Sequence, residues 1–526
     1  MKINIVFLTI FCTLAWVNSV SATPAIQKRL REMLDIPASQ KGMVSLTLKE
    51  VSLAAMARSD SFQALMAKSY SLKSDEYLQD SLTDSFFVAH AKQDWNRNQA
   101  NSIFGTTRFD QTVIDLGFEK RFFTGTKLGL GLSEYRNTSV FGGNFGTVDA
   151  KVAAVNLEIA QSLWRDSFGS STRNLLNSGK LKSEAKKIAL EAEIEDWFLQ
   201  FSSLYYQVWL TQRRVEATQL SLERKERLAS LFQRRKQLGI SEEADQIQIS
   251  SAVDQTRVQL DELKRSLAKN WNLLVVSLKL SPEDQKFNPM DIPMEVGDAQ
   301  SFQQLGCDQI PDSNRALKQI ELESKAIALQ MDAALDRLRP DLVLTLGAST
   351  NRSILNSGDE FGTRWSDAFA AKYPAYSIGL LFKIPLSASL EKSESLQLVS
   401  ANQQLQSRAS QLKDQLQIDF ESHCSEVKML EQHDRLYQQV ETNLKRRIGL
   451  EENRYRQARI QPFTVLQAGD ELFGTSVAKF SNLGNWWEKR WNLEKSRGQL
   501  FEQLDTWVKD KTGKTIFEKL ESGRML

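Results

Sequence analysis

Histidine and cysteine are scarce in this chain, three of each in 526 residues, and the scarcity removes whole classes of chemistry. His90, His423 and His433 form no His-x-x-x-His pair, and none stands near cysteines at zinc-finger spacing, so no metal signature is present. Cys424 follows His423, but neighbours on a helix diverge by about 100° and do not share a ligand. No G-x-S-x-G elbow and no G-x-x-x-x-G-K-[ST] phosphate loop occurs, so no catalytic residue and no cofactor is assigned and the chain is not expected to be an enzyme. Lys plus Arg (67) nearly balance Asp plus Glu (65), which leaves a nucleic-acid partner without the bulk positive charge it requires. Long apolar runs are missing as well. The N-terminal apolar stretch is shorter than the ~18 to 20 residues of a spanning helix and no comparable run occurs elsewhere, so a helical membrane protein is not expected.

The N-terminal segment reads as a secretory signal: Lys2, an apolar run from Ile3 to Val17, and small residues at Val20-Ser21-Ala22 before Thr23. Cleavage is expected after Ala22. Cys12 lies inside the removed segment, and Thr9-Ile10-Phe11 before it lacks the small residues of a lipoprotein site, so no lipid anchor is expected. Export leaves Cys307 and Cys424, enough for one disulfide in an oxidising compartment and too few for a framework; because their two segments read so differently, a structural bridge is not expected.

What is present is an internal repeat. The first half, 23–280, reads as a helix near 46–82, strands between about 85 and 163, a helix near 170–237 and another near 241–280. The second half, 313–510, repeats the order: a helix near 313–338, strands near 341–351 and 376–386, then helices near 388–457 and 462–510. Between them Pro282, Pro293 and Pro311 interrupt regular structure, making 281–312 a linker; 511–526 is a C-terminal tail.

The helices carry heptad stripes. Leu190, Ile194, Trp197, Phe201, Leu204, Val208 and Val215 step by threes and fours, answered by Ile249, Val253, Leu260, Leu263, Leu267, Leu274 and Leu278, so the two helices can pair as an antiparallel coiled coil. Phe473, Val477, Phe480, Trp487 and Trp491 form a stripe in the second half, which assigns Trp486, Trp487, Trp491 and Trp507 to packing rather than to a ligand cage. An unbroken helix over 170–237 would run ~100 Å at ~1.5 Å per residue, too long for a compact globule.

The strands alternate. Tyr376, Ile378, Leu380, Phe382 and Ile384 face one way, with Ser377, Gly379 and Lys383 opposite and Leu381 the exception; Leu342, Leu344 and Leu346 alternate with Thr345 and Gly347; Leu128, Leu130 and Leu132 alternate with Gly129, Gly131 and Ser133. Such a pattern suits a strand between lipid and a watery lumen, and equally a half-buried strand in a soluble sheet. Placement favours the former, because both strand sets interrupt a helix pair in the same way. One chain supplies too few strands to close a sizeable barrel, and open edges are not tolerated in lipid, so several chains must share one. Parity sharpens the count: four strands near 85–97, 112–121, 126–136 and 150–162, with a tight turn at Phe123-Thr124-Gly125-Thr126, plus two in the second half, give six per chain and about eighteen per trimer; the alternative is that 112–136 is a hairpin outside the barrel wall, which leaves four per chain and about twelve in all. Phe122, Phe123, Tyr135, Phe141 and Phe145 flank strands and Gly-rich turns, as an interfacial girdle or as ordinary turn packing.

Over nearly the whole mature chain the sequence resembles the TolC family of outer-membrane efflux and export ducts. The resemblance rests on Ser45-Leu46-Thr47-Leu48-Lys49-Glu50-Val51 opening the first helix, Leu157-Glu158-Ile159-Ala160-Gln161-Ser162-Leu163-Trp164 leading into the long helix, Arg339-Pro340-Asp341-Leu342, Tyr376-Ser377-Ile378-Gly379-Leu380 and Lys383-Ile384-Pro385-Leu386. It implies a mainly α fold with a membrane β-barrel portion: a homotrimer with a shared β-barrel in outer-membrane lipid and an α-barrel crossing the periplasm. It also implies a periplasmic membrane-fusion adaptor and an inner-membrane transporter as partners, for efflux or type I secretion. Helix reversals at Lys236–Ser241 and Tyr455–Pro462 would dock the adaptor, through Leu238, Gly239 and Ile240 and through Ala458, Arg459 and Ile460. Gly239 supplies a positive φ for the first reversal; in the second, Ala458 stands where the family usually has Gly, and Pro462 is placed to start the next helix. Where the family often has an acidic ring at the periplasmic mouth, this chain has Thr464 and Gln467, with Asp245, Asp470 and Glu471 nearby. The alternative reading is a periplasmic or surface coiled-coil structural protein.

Overall fold

The computed structural model describes residues 46–97, 106–141, 146–237, 243–279, 294–296, 314–356, 361–457 and 459–521. The expected signal peptide, most of the expected linker, Cys307, Phe145, Leu238, Gly239, Ile240 and Ala458 lie outside them. The chain divides into two compact units that cut across both sequence repeats: Met1–Ala67, Glu193–Pro311 and Ile418–Leu526 form one, and Lys68–Ala192 with Asp312–Gln417 the other.

The first unit is helical. A two-residue strand β1 (Leu46–Thr47) pairs in parallel with β6 (Met294–Glu295). Helix α1 (Leu48–Arg58) then begins at a capping box in which Thr47 Oγ1 accepts from Glu50 N and the Glu50 side chain accepts from Thr47 N, satisfying two otherwise unpaired amide donors. Helix α2 (Asp60–Ala67) follows. The expected single helix over 46–82 is therefore broken, first at extended Ser59 and again before α3 (Ser74–Asp80) of the second unit.

Helices α4 (Ser170–Gln237) and α8 (Ser389–Arg456), each of 68 residues, run from one unit into the other. Within the first unit α4 pairs antiparallel with α5 (Glu243–Ser277) through Thr211–Asn270, Lys225–Thr256 and Glu226–Arg257. Likewise α8 pairs with α9 (Pro462–Ser496) through Glu426–Lys489, Glu441–Lys479 and Arg447–Glu471. Pro462 opens α9 at the first helical position, as its sequence setting requires. The expected stripes are buried: Leu190, Ile194, Val208 and Val215 on α4, and Ile249, Val253, Leu260, Leu267 and Leu274 on α5. On α9 the stripe is displaced, with Ala468 and Leu472 buried where Phe473, Val477 and Phe480 are half-buried.

Aromatic packing dominates this core. Trp486, Trp487 and Trp491 are at most 6% exposed. Phe198 meets Trp491 and Trp507 edge-on, and Trp491 Nε1 donates to the Tyr206 hydroxyl at 2.9 Å. The expected helix over 462–510 breaks at Gly498, whose φ is +69. After it α10 (Leu500–Thr512) begins with Phe501 N donating to the buried Glu195 carboxylate at 3.0 Å, and α11 (Ile516–Glu521) ends the described chain. Against the sequence expectation, Cys424, buried in α8, is disulfide-bonded.

The second unit holds a six-stranded antiparallel sheet in the order β2 (Ser85–Asn96), β3 (Thr106–Arg121), β4 (Thr126–Phe141), β5 (Thr147–Ser162), β7 (Asp341–Leu355) and β8 (Pro374–Lys383). The six expected strands are all present, and β3, β4 and β5 are longer than their apolar alternation indicated. Helix α6 (Arg315–Asp336), capped by Asn314 Oδ1 accepting from Ala316 N, precedes β7. The hairpin between β7 and β8 carries a helix that the sequence did not announce, α7 (Phe361–Phe369).

Two turns of this unit interlock. In the β3–β4 turn Gly125 (φ +73) donates from its amide to Phe122 O, and against it lies the turn after β5, where Asp166, Phe168 and Gly169 all have positive φ. A Cβ on Gly169 would sit 2.0 Å from Phe123 O, so only glycine fits this backbone crossing.

Candidate functional site

Register divides the sheet into two chemically distinct faces. On one face Ile378, Leu346, Ile159 and Leu128 stand in a row, followed by Tyr376, Ala348, Leu157, Leu130, Phe118 and Phe87, and then by Val155, Leu132, Leu116 and Ala89. The apolar band is oblique: on β8 and β7 it begins at Phe382 and Leu342, whereas on β3 and β2 it reaches Ile114 and Ala91, several residues along. A layer of fixed direction crosses tilted strands in this way. Leu130, Ile378, Leu380 and Tyr376 on this face are exposed in the single chain, an apolar surface that a monomeric soluble protein rarely leaves uncovered.

The opposite face carries Gly117 directly across from Gly131, with Gly129, Gly347, Ser377, Gly379, Asn156 and Glu158 around them. Glu119 and Glu158 stand on either side of Gly129, and Asn156 stands opposite Gly131. Tyr135 lies on this polar face, opposite Val113 and Val152, which removes it from any girdle on the apolar one. Phe122 is half-buried under the Lys120 ammonium, 5.7 Å from its ring, and Phe141 is half-buried at the end of β4. Phe123 is exposed, and exposed Trp164 and Phe168 join it where the sheet gives way to helices.

Among the described residues the sheet is open, and β2 and β8 are its edges. Every residue of β8 is exposed, as are all but one of β2.

In the first unit the helix ends that flank the two reversals share a core. Leu228 and Phe232 of α4, Ile249 of α5, Tyr455 of α8, and Val465 and Leu466 of α9 form one buried cluster against which Ile460 packs. Of the proposed tip residues, Arg459 is exposed and Ile460 half-buried. Asp245 and Thr464 are half-buried and Gln467 is exposed.

The remaining carboxylates at this end are engaged by cations that the sequence did not pair with them. Asp470 binds the Lys225 ammonium at 2.8 Å while Lys225 also donates to Thr256 Oγ1 at 3.0 Å. Glu471 binds Arg447 at 2.7 Å and accepts from Gln467 Nε2 at 3.1 Å. Above the apolar cluster a cavity of about 460 Å³ is lined by Arg224, Lys225, Arg227 and Arg456 with one carboxylate, Glu452. The charged lining of this cavity is thus mainly basic, drawn largely from the run Glu223-Arg224-Lys225-Glu226-Arg227, which carried no sequence expectation.

Among the described residues no group of three or more His, Cys, Asp and Glu side chains is arranged to hold a metal, and no helix is long and apolar enough to cross a membrane. His90 contacts Asp115 through Nδ1 at 3.3 Å on the sheet, and His433 packs edge-on against Tyr437.

No family model and no curated protein matches this sequence. Solved structures do match in fold. The CmeC outer membrane channel of Campylobacter jejuni superposes with a TM-score of 0.62 at 12% identity, covering 93% of this chain and 96% of that one. The outer membrane protein VceC of Vibrio cholerae gives 0.61 at 12% identity, over 86% and 96% of the two chains. CusC, described in connection with transmembrane channel formation, gives 0.60 at 15% identity over 87% and 93%. The chain has the TolC-like protomer fold that these outer-membrane channels share.

Proposed function

We propose that three copies of this chain close one β-barrel in the outer membrane and continue as an α-helical duct into the periplasm, for efflux or type I secretion. The observation that carries the reading is the six-stranded sheet with one continuous apolar face and two unpaired edges. In lipid the edge amides and carbonyls of β2 and β8 have no water to bind, so they must find another strand. An even strand count leaves β8 antiparallel to β2, so rotation about a common axis brings β8 of one copy against β2 of the next in the same antiparallel sense and closes a ring. Six strands from each of three copies make a barrel of about eighteen, in the even-numbered class of outer-membrane barrels.

The helix reversals then meet a periplasmic adaptor through Leu238, Gly239, Ile240, Ala458, Arg459 and Ile460, and an inner-membrane transporter supplies the energy. Asp245, Thr464, Gln467 and Asp470 line the approach to the periplasmic mouth. A coiled-coil structural protein, the other reading of the helices, leaves the apolar face of the sheet without a purpose. The test is native mass measurement in mild detergent together with planar-bilayer recording. A trimer with stable ion conductance is expected, and a monodisperse monomer without conductance overturns the proposal.

A further inference from the structure

Helix α7 lies on the apolar-band face of the sheet, at the margin of the band. Register sets Arg352, Ala153 and Glu134 in one row on that face, one step beyond Val155 and Leu132. All three are engaged with α7. Arg364, 2% exposed, donates to Glu134 Oε1 at 2.9 Å; Asp367 pairs with Arg352 at 3.3 Å; and Ala153 and Ala368 are fully buried. The helix therefore covers the first charged row met on leaving the apolar band and neutralises it with its own charges.

Its remaining chemistry is of a different kind. Trp365 and Phe369, one turn apart, pack with ring centroids 5.8 Å apart. Phe369 is 63% exposed and Tyr373, just before β8 begins, is 47% exposed. Two cations flank the Tyr373 ring, Arg352 at 5.5 Å and Lys372 at 5.9 Å. Exposed aromatic rings beside cations, continuous with an apolar surface and just past its last row, match the boundary of a bilayer, where rings lie at headgroup level and cations meet lipid phosphates.

We propose that α7 is an interfacial helix seated on the outside of the barrel wall, binding the phosphate-bearing lipid of the outer leaflet. Phe369 and Tyr373 occupy the acyl–headgroup boundary, and the exposed Lys372 ammonium, which shares Asp367 with Arg352, faces the phosphates. This rests on the barrel reading above, because the apolar band must face lipid for its margin to meet a headgroup layer. The helix also explains why Glu134 and Arg352 are tolerated beside the band, since α7 satisfies both before lipid can meet them.

The test uses the full chain, reconstituted into phosphatidylcholine vesicles that carry a nitroxide on acyl carbon 5. Single cysteines at exposed sites are labelled with a fluorophore: Phe369→Cys on α7, Leu130→Cys in the apolar band and Glu119→Cys on the polar face. About two-fold quenching is expected at positions 369 and 130, with little at 119, as for groups at shallow depth in a bilayer. Quenching at 130 with position 369 behaving like 119 overturns the role of α7 and leaves the barrel standing. No quenching at 130 overturns the barrel reading, and the helix proposal falls with it.

Discussion

The Arg121 guanidinium, at the end of β3, donates to Asp166 Oδ2 at 2.7 Å across the interlocked turns of the sheet unit. Asp166 is the centre of a buried network: it also accepts from Thr172 N at 2.8 Å and Thr172 Oγ1 at 2.7 Å, and its own amide donates to Asp336 Oδ2 at 2.6 Å. It holds these partners in a left-handed conformation, φ +51, which Asp and Asn tolerate better than most residues.

Asp166→Ala leaves three donors without their acceptor and places alanine in the left-handed region. A loss of about 3 kcal/mol is expected from unmet buried donors. Asp166→Asn keeps the backbone preference and one acceptor and should lose roughly half as much. Thermal unfolding in detergent measures both, and equal losses would show that charge alone matters.

Gly169→Ala directs a methyl group at Phe123 O, whereas Gly146, also at positive φ (+85), has nothing within 4 Å of its would-be Cβ. Gly146→Ala should cost about 1 kcal/mol, the penalty of the backbone conformation alone. Gly169→Ala should prevent folded protein from accumulating in the membrane fraction, read by protease resistance of the sheet.

Burial pushes the Tyr206 phenol far above its ordinary range, so it remains protonated as the acceptor for Trp491 Nε1. Tyr206→Phe should destabilise the helical core by about 1–2 kcal/mol by leaving a buried indole N–H unmet. The loss should be constant between about pH 6 and 9, well below the ordinary tyrosine range of about 10.

Burial lowers the pKa of His423, with the Lys489 ammonium adding to the effect against Glu426 and Asp419. The folded state thus takes up its proton later than the unfolded one as pH falls. Stability should decline below about pH 6.5, the unfolded value, and level off once the folded pKa is passed. His423→Gln should flatten that stretch of the stability–pH curve, and an unchanged slope counts against the assignment.

If the first helix reversal docks an adaptor as proposed, Leu238→Asp should weaken that docking while leaving insertion intact, because a charge at an apolar contact costs desolvation and lost packing. Cross-linking yield to the adaptor together with dye efflux measures it, and unchanged values of both refute the contact.

Much of this arrangement was legible in the sequence because the signals were periodic. Two-residue alternation at Leu128–Leu132 and Tyr376–Phe382 located strands, and the stripes from Leu190 and Ile249 located a helix pair. Signals that depended on a partner remote in sequence were not legible. The pairing of Asp470 with Lys225 joins two helices whose residues lie 245 positions apart. Helix α7 was missed because nine residues with a polar side, Gly362-Thr363 and Ser366, show too short a period to stand out from a loop. The break at Gly498 was concealed by the aromatic stripe that reaches it, since periodicity reports which face is buried and not where a helix ends.

The facing pair Gly117 and Gly131, with Gly129, Gly347 and Gly379 nearby, leaves room at the centre of the sheet's polar side, and Glu119 and Glu158 stand on either side of Gly129. Turned inward in the proposed ring, such a lining would combine space with carboxylates repeated in every copy. A wall of that kind would discriminate by charge, favouring cations, far more than by shape.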